Sequence, residues 1–203
     1  YLNLFDFAPT GYFTLDPNCV ITEVNLTGSE LLGSKKHGLI GTQFTKFISP
    51  DSQDIFFLHY RETIKTGSRN TCEIKMQKAD GTTFHAQLIS TTIPAKDGNV
   101  YFRTAVIDIT ERKKGEHDVR ERQKELRALF YLVELAQRKD ITLDELQIEF
   151  VKVLPNAWQY PEITCARITV SDSESRTKNF KESVWKQIST IKVNGADVGI
   201  IEV

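Results

Sequence analysis

The sequence predicts an α+β protein in two folded parts joined by a long helix. Three observations carry that prediction. Short β-type runs and short helical segments lead into three long alternating strands linked by Asp-Gly turns, all before residue 114. A charged stretch from Asp108 to Ala136 then carries apolar residues on a heptad frame. Beyond Thr142, one amphipathic helix precedes further strands, the last two joined by Asn194-Gly195. The expected divisions are an α/β domain over 1–113, a helix over 114–139 and a smaller α+β module over 140–203.

Tyr1 to Phe7 is a short amphipathic lead-in that Pro9-Thr10-Gly11 stops. Tyr12–Leu15 and Val20–Val24 read as a hairpin around the turn residues Asp16-Pro17-Asn18. Asn25 can cap a short helix over Ser29–Leu32, stopped by Gly33. Lys35-Lys36-His37-Gly38 reads as a polar turn. Phe44, Phe47 and Ile48 share the apolar face of a short helical segment ended by Ser49-Pro50. Asp51–Thr66 is a helix by its spacing of Ile55, Phe56, Leu58, His59, Arg61 and Ile64, with Gly67 as its C-terminal stop. The first long strand alternates Cys72, Ile74 and Met76 with Glu73, Lys75 and Gln77. Asp80-Gly81 turns the chain. The second places Phe84, Ala86 and Leu88 on one face and His85, Gln87 and Ile89 on the other. Pro94 and Asp97-Gly98 lead to the third, Val100–Asp108, whose two faces are both partly apolar and therefore both expected to be covered.

Val119, Leu126, Leu129, Val133 and Ala136 occupy a and d positions of one frame, broken only by Arg122. Such a seam pairs two helices by knobs-into-holes packing. The helix reads as a mechanical relay or as a rigid spacer. After it, Thr142-Leu143-Asp144-Glu145 is a capping box opening a helix with Leu143, Leu146, Phe150 and Val153 on one face, ended by Pro155. Trp158–Pro161 is an aromatic turn and Ile163–Val170 a strand. Ser171–Lys178 is a polar loop or hairpin connection. Trp185–Val193 and Val198–Val203 are strands around a type I′ turn.

The 203 residues carry 40% hydrophobic and 26% charged content, ordinary for a soluble protein. A net charge of −1 gives no reason to expect nucleic acid or a membrane surface as partner. Three scattered cysteines suit a reducing cytoplasmic setting rather than a disulfide framework. No apolar run approaches the roughly 20 residues that span a bilayer, and no signal peptide stands at Tyr1, so no membrane contact by this segment is expected.

The order of elements up to about Lys113 resembles a PAS domain. The resemblance rests on Gly11-Tyr12-Phe13-Thr14-Leu15-Asp16, Val24-Asn25, Leu31-Leu32-Gly33, Ala79-Asp80-Gly81 and the exit motif Asp108-Ile109-Thr110-Glu111-Arg112-Lys113. It implies a five-stranded antiparallel sheet with flanking short helices, a pocket between them, and a sensory or protein-pairing role, most often inside a two-component sensor histidine kinase. The 140–203 module resembles the opening of a GAF domain through Ala157–Arg167, without the later elements of a full one.

The pocket implied by the PAS resemblance would be lined by Phe47, Phe56, Tyr60, Cys72, Ile74, Met76, Leu88, Thr104 and Val106. They suit a small apolar or aromatic ligand with Tyr60 and Thr104 as polar handles, or fill the space as a plain core, the reading preferred here. Haem-binding relatives carry the axial histidine about ten residues before a Thr-Gly pair. That position is Phe56, and His59 would point elsewhere. Photosensors of the LOV type need a reactive cysteine that Thr42–Phe47 lacks. Haem and flavin are therefore both disfavoured, and Cys72 reads as a structural thiol. The expected relay residues are Asp108, Thr110 and Arg112, with Asp108 accepting from Thr110 or turn amides and pairing with Arg112.

No catalytic or metal-ligating constellation emerges. The kinase phosphate and lid motifs are absent, the four histidines are scattered, and His117 lacks the proline expected after a phosphoacceptor. The segment is expected not to be an enzyme. Two functions remain open: a sensory input module passing its state to a downstream kinase or other output domain, or a constitutive ligand-free dimerisation scaffold. The regulatory part of a transcription factor or cyclase is a third. The expected partner is a second copy of the chain, pairing through the helical seam.

Overall fold

Period-two alternation builds the first sheet. The computed structural model describes residues 2–94 and 100–203; the expected Asp97-Gly98 turn lies outside the described residues. The chain divides into two compact units, Tyr1–Lys114 and Gly115–Val203. In the first, β1 (Gly11–Leu15), β2 (Ile21–Val24), β3 (Asn70–Gln77), β4 (Thr83–Pro94) and β5 (Val100–Asp108) form one antiparallel sheet in the order β2-β1-β5-β4-β3. Across β4 and β5, Ala86 faces Asp108, Leu88 faces Val106 and Ser90 faces Thr104. The alternate residues Ile74 and Met76, Phe84, Ala86 and Leu88, and Phe102, Thr104 and Val106 are buried on one face. On β5's other face Tyr101, Ala105 and Ile107 are only half-buried and Arg103 is exposed, so the expected cover on both faces is partial.

Helices flank the sheet: α1 (Leu2–Asp6), whose Phe5 stacks on Tyr12 of the outward side of β1, then α2 (Leu26–Leu31), α3 (Lys36–Leu39) and α4 (Gln53–Thr66), with 3-10 turns at Phe44–Phe47 and Pro50–Ser52. Asn25 caps α2 as expected, its side chain accepting from the Gly28 amide. The helix starts at Leu26 instead of Ser29, and Gly28 sits inside it for a packing reason. A Cβ there would lie 2.9 Å from both Phe13 and Val24. The expected polar turn at Lys35–Gly38 is helix α3, drawn in by the fully buried Leu39. Gly67 ends α4 in the left-handed conformation, φ 63°.

The second unit holds most of α5 (Thr110–Ala136), with α6 (Leu143–Val153) and the strands β6 (Arg167–Val170), β7 (Ser173–Arg176), β8 (Ile188–Val193) and β9 (Ala196–Glu202). Their order is β7-β6-β9-β8. The Thr142–Glu145 capping box is complete in both directions. Asn194 and Gly195 both have positive φ, 52° and 83°, as a type I′ turn requires. Three expectations need correction. The strand expected from Ile163 begins at Arg167, because the Thr164 amide and hydroxyl both bond back to the Tyr160 carbonyl and hold a turn. Of the two readings of Ser171–Lys178 the hairpin holds, Ser173–Arg176 pairing antiparallel with β6, whereas the next strand, β8, begins at Ile188 instead of the exposed Trp185. Helix α6 buries Gln147 and Val151, followed by Leu154, so its inner stripe is rotated one position from the Leu143–Leu146–Phe150–Val153 face. That rotation puts Val151 and Leu154 against Ala166 and Ile168.

Candidate functional site

Aromatic contacts fill the space between α4 and the sheet. Ring centroids run Phe13–Phe44 5.2 Å, Phe44–Phe56 5.7 Å, Phe56–Tyr60 6.3 Å and Tyr60–Phe102 5.0 Å. Of the residues predicted to line a pocket, Phe56, Ile74, Met76, Leu88, Thr104 and Val106 are buried in this cluster. Phe47, Tyr60 and Cys72 pack against it half-buried. The nominated side chains are thus brought together, packed on one another as a core. Tyr60 is not a handle pointing inward: its hydroxyl donates to the Pro17 carbonyl at 2.8 Å. Burial, with Cys19 beside it, pushes the Tyr60 phenol up to about 12. Burial also pushes the Cys72 thiol up to about 12, so it stays protonated at neutral pH.

Thr104 is a polar group facing the core, and it belongs to a chain that the sequence reading missed. Its hydroxyl lies 2.9 Å from Ser90 Oγ, which lies 2.8 Å from His59 Nε2. All three residues are buried. His59 was expected to point elsewhere. It faces the sheet because Phe56, His59 and Thr63 share one stripe of α4. The Thr63 hydroxyl donates to the His59 carbonyl at 2.8 Å, and the imidazole meets Phe102 edge-on at 6.0 Å. Burial holds the His59 pKa below its ordinary value. The imidazole tautomer sets which way the two hydroxyl protons point.

The strands that carry this trio run on to the exit of the sheet. From Ser90, β4 leads back to His85; from Thr104, β5 leads on to Asp108. There Asp108 Oδ1 accepts from the Thr110 amide at 2.8 Å, and Thr110 Oγ1 accepts from the His85 amide at 3.0 Å. The buried Ile109 donates its amide to the His85 carbonyl at 2.8 Å. Arg112 reaches Glu73 on β3 at 2.5 Å, and Lys113 reaches the same carboxylate at 2.6 Å. Hydrogen bonding to Lys113, and next to Arg112, holds the Glu73 carboxyl below its usual range. Glu73 was not foreseen, because its outward place on β3 gave no sign of the helix above it.

On α5, Val119, Leu126, Leu129, Val133 and Ala136 are all exposed, while Ala128 and Leu135 are buried within the second unit. The seam therefore faces solvent in the single chain. His117 is exposed on the same helix. Among the described residues no cluster of three or more His, Cys, Asp or Glu could hold a metal ion. No helix among them is long and apolar enough to cross a membrane.

Solved structures with the same fold include the PAS domain of a protein from Colwellia psychrerythraea, 20% identical, covering 54% of this chain and 93% of that one at a TM-score of 0.50. An RNA-binding light-oxygen-voltage receptor is 16% identical, covering 58% of this chain and 35% of that one at 0.52. A PAS domain from a two-component sensor histidine kinase is 17% identical, with coverage of 53% and 91% at 0.46. No curated protein matches the chain. The family model described as PAS domain matches residues 9–111, just over half of the chain, which therefore belongs to the PAS domain family.

Proposed function

We propose that this chain is the input and relay region of a larger signalling protein, with the PAS unit as sensor and α5 as carrier of its state. The supporting observation is the route through the sheet. The His59–Ser90–Thr104 trio bridges α4 to the two strands whose ends form the Asp108–Thr110–His85 cluster at the start of α5. A change that repairs or breaks the trio shifts β4 against β5, and the exit cluster converts the shift into a helix pose. A bias of about 1–3 kcal/mol between two poses is enough for such a switch. The parent protein is a two-component sensor histidine kinase, the context that the Asp108–Lys113 exit motif supports. The 140–203 module is GAF-like, and the copies pair through Val119, Leu126, Leu129, Val133 and Ala136. The segment binds and relays without chemistry of its own, in a cytoplasmic setting suited to its three free cysteines.

A second reading is favoured by the packed inner face: a scaffold that dimerises constitutively and senses nothing. Amide exchange separates the two. Thr104→Val breaks the trio without opening the core. On the relay reading it speeds exchange at Thr110–Lys113 as well as around β4 and β5. Exchange altered only beside residue 104, with the exit unchanged, would leave the scaffold standing.

A further inference from the structure

The PAS core buries one side chain that gains a charge on mild acidification, His59. Helix α4 lays it against the sheet, where Nε2 bonds to Ser90 Oγ and the ring meets Phe102 edge-on. Alternation leaves the inner side of the sheet without carboxylates or cations across 70–76, 84–92 and 100–106. On α4 itself Asp54, Arg61, Glu62 and Lys65 are exposed. The titratable groups packed on the same core, Tyr60 and Cys72, stay protonated and neutral. Asp16 and Cys19, on the turn that Tyr60 reaches, act on Tyr60, whereas burial alone acts on His59. Among the described residues, no carboxylate faces the imidazole.

We propose that the proton is the stimulus of the PAS unit: taken up by His59, it parts α4 from β4 and β5. Only the onward step to α5 rests on the relay reading. The neutral ring carries one N–H, and Nε2 can donate to Ser90 or accept from it. The imidazolium carries two, so Nε2 donates and Ser90 turns its own proton to Thr104. Two hydroxyls and a phenyl ring do not offset the hydration that the charge gives up. It regains water when α4 lifts. The lifted state takes up the proton at the ordinary pKa of 6.5, so acid favours it by linkage, at most about tenfold per pH unit. A core already filled with aromatic rings can register this stimulus, since a proton needs no cavity.

Amide exchange of the full chain tests this, each rate divided by the intrinsic rate at its pH. From about pH 7 to about pH 5, protection across 56–63 should fall about tenfold or more in wild type. It should hold within about twofold in His59→Gln, whose amide can meet Ser90 but does not titrate. The His59 imidazole carbons, followed by NMR in wild type, should titrate with a midpoint below 6.5, and the amide shifts across 56–63 should share that midpoint. This second readout decides the matter if His59→Gln does not fold. A fall across 110–113 in step with α4 supports the relay as well; a fall confined to α4 and its strands supports the proton site and removes the relay. The proposal is overturned if α4 protection ignores pH, if His59→Gln loses it equally, or if His59 titrates at or above 6.5. If Thr104→Val loosens the exit at neutral pH and acid does not, the relay stands and the proton is not its stimulus.

Discussion

Asn25 is fully buried, and each half of its amide has two partners. Oδ1 accepts from the Tyr12 and Gly28 amides, both at 2.8 Å; Nδ2 donates to the Phe5 and Thr10 carbonyls, both at 2.9 Å. One side chain thus caps α2 and ties it to β1 and to the chain before it. Asn25→Ala should cost about 2–4 kcal/mol, read by urea unfolding, because a cap is lost and buried backbone groups go unpaired. Asn25→Asp keeps the two accepted bonds but turns a carboxylate onto two carbonyls, and should destabilise as well. His59 makes a pH prediction. Its folded pKa lies below the unfolded value of 6.5, so the unfolded chain takes up the proton first as pH falls. Its contribution to stability is full above about 6.5 and is lost on acidification from there towards the folded pKa. Between pH 7 and pH 5 the wild type should lose more stability than His59→Gln. Equal losses would mean that the imidazole is not held neutral by burial. The cap was legible in the sequence, since an Asn directly before a helix has that role; its bonds to Phe5 and Thr10 join residues too distant for local rules. The direction of His59 was misread, although Phe56, His59 and Thr63 fall on one helical stripe, and its partner Ser90 depends on strand register and helix placement together.

At the scale of elements, alternation exposed β3, β4 and β5, and the turn chemistry of Asp80-Gly81 and Asn194-Gly195 placed two reversals. Short helices were less legible: α3 exists because Leu39 must be buried, which a polar tetrapeptide does not announce. The face of α6 was misread because a buried Gln147 replaces the apolar residue that a hydrophobic stripe would carry. Gly199 marks a close approach of strands, since a Cβ there would come within 2.2 Å of the Thr169 carbonyl. Gly199→Ala should therefore disrupt the β6–β9 pairing, visible as lost amide protection in β6 with the PAS unit unaffected. At the exit, the surface bonds of Glu73 to Arg112 and Lys113 are exposed and each worth at most about 1 kcal/mol. Glu73→Gln should barely change stability. Asp108→Ala should leave the fold cooperative but loosen the first turn of α5, with faster exchange at Thr110. An unchanged exit in Asp108→Ala would remove Asp108 from the relay.

At the scale of the whole molecule, α5 carries two stripes with different roles. Ala128 and Leu135 serve the second unit, while Val119, Leu126, Leu129 and Val133 remain more than half exposed. The heptad pattern showed the outer stripe, and the inner one was hidden because it follows the partner elements of its own unit. Pairing through the outer stripe predicts a parallel homodimer at tens of micromolar, the range of weak dimers. Leu126→Glu combined with Leu129→Glu should shift light scattering towards the monomer. The central claim is that the state of the buried trio reaches this helix. It is tested most directly by the distance between spin labels on the two copies of Glu125, compared in wild type and Thr104→Val. The account predicts a shifted or broadened distribution in the variant, with its PAS unit still folded. Identical distributions in the two proteins, or no dipolar coupling between copies in the wild type, would contradict it.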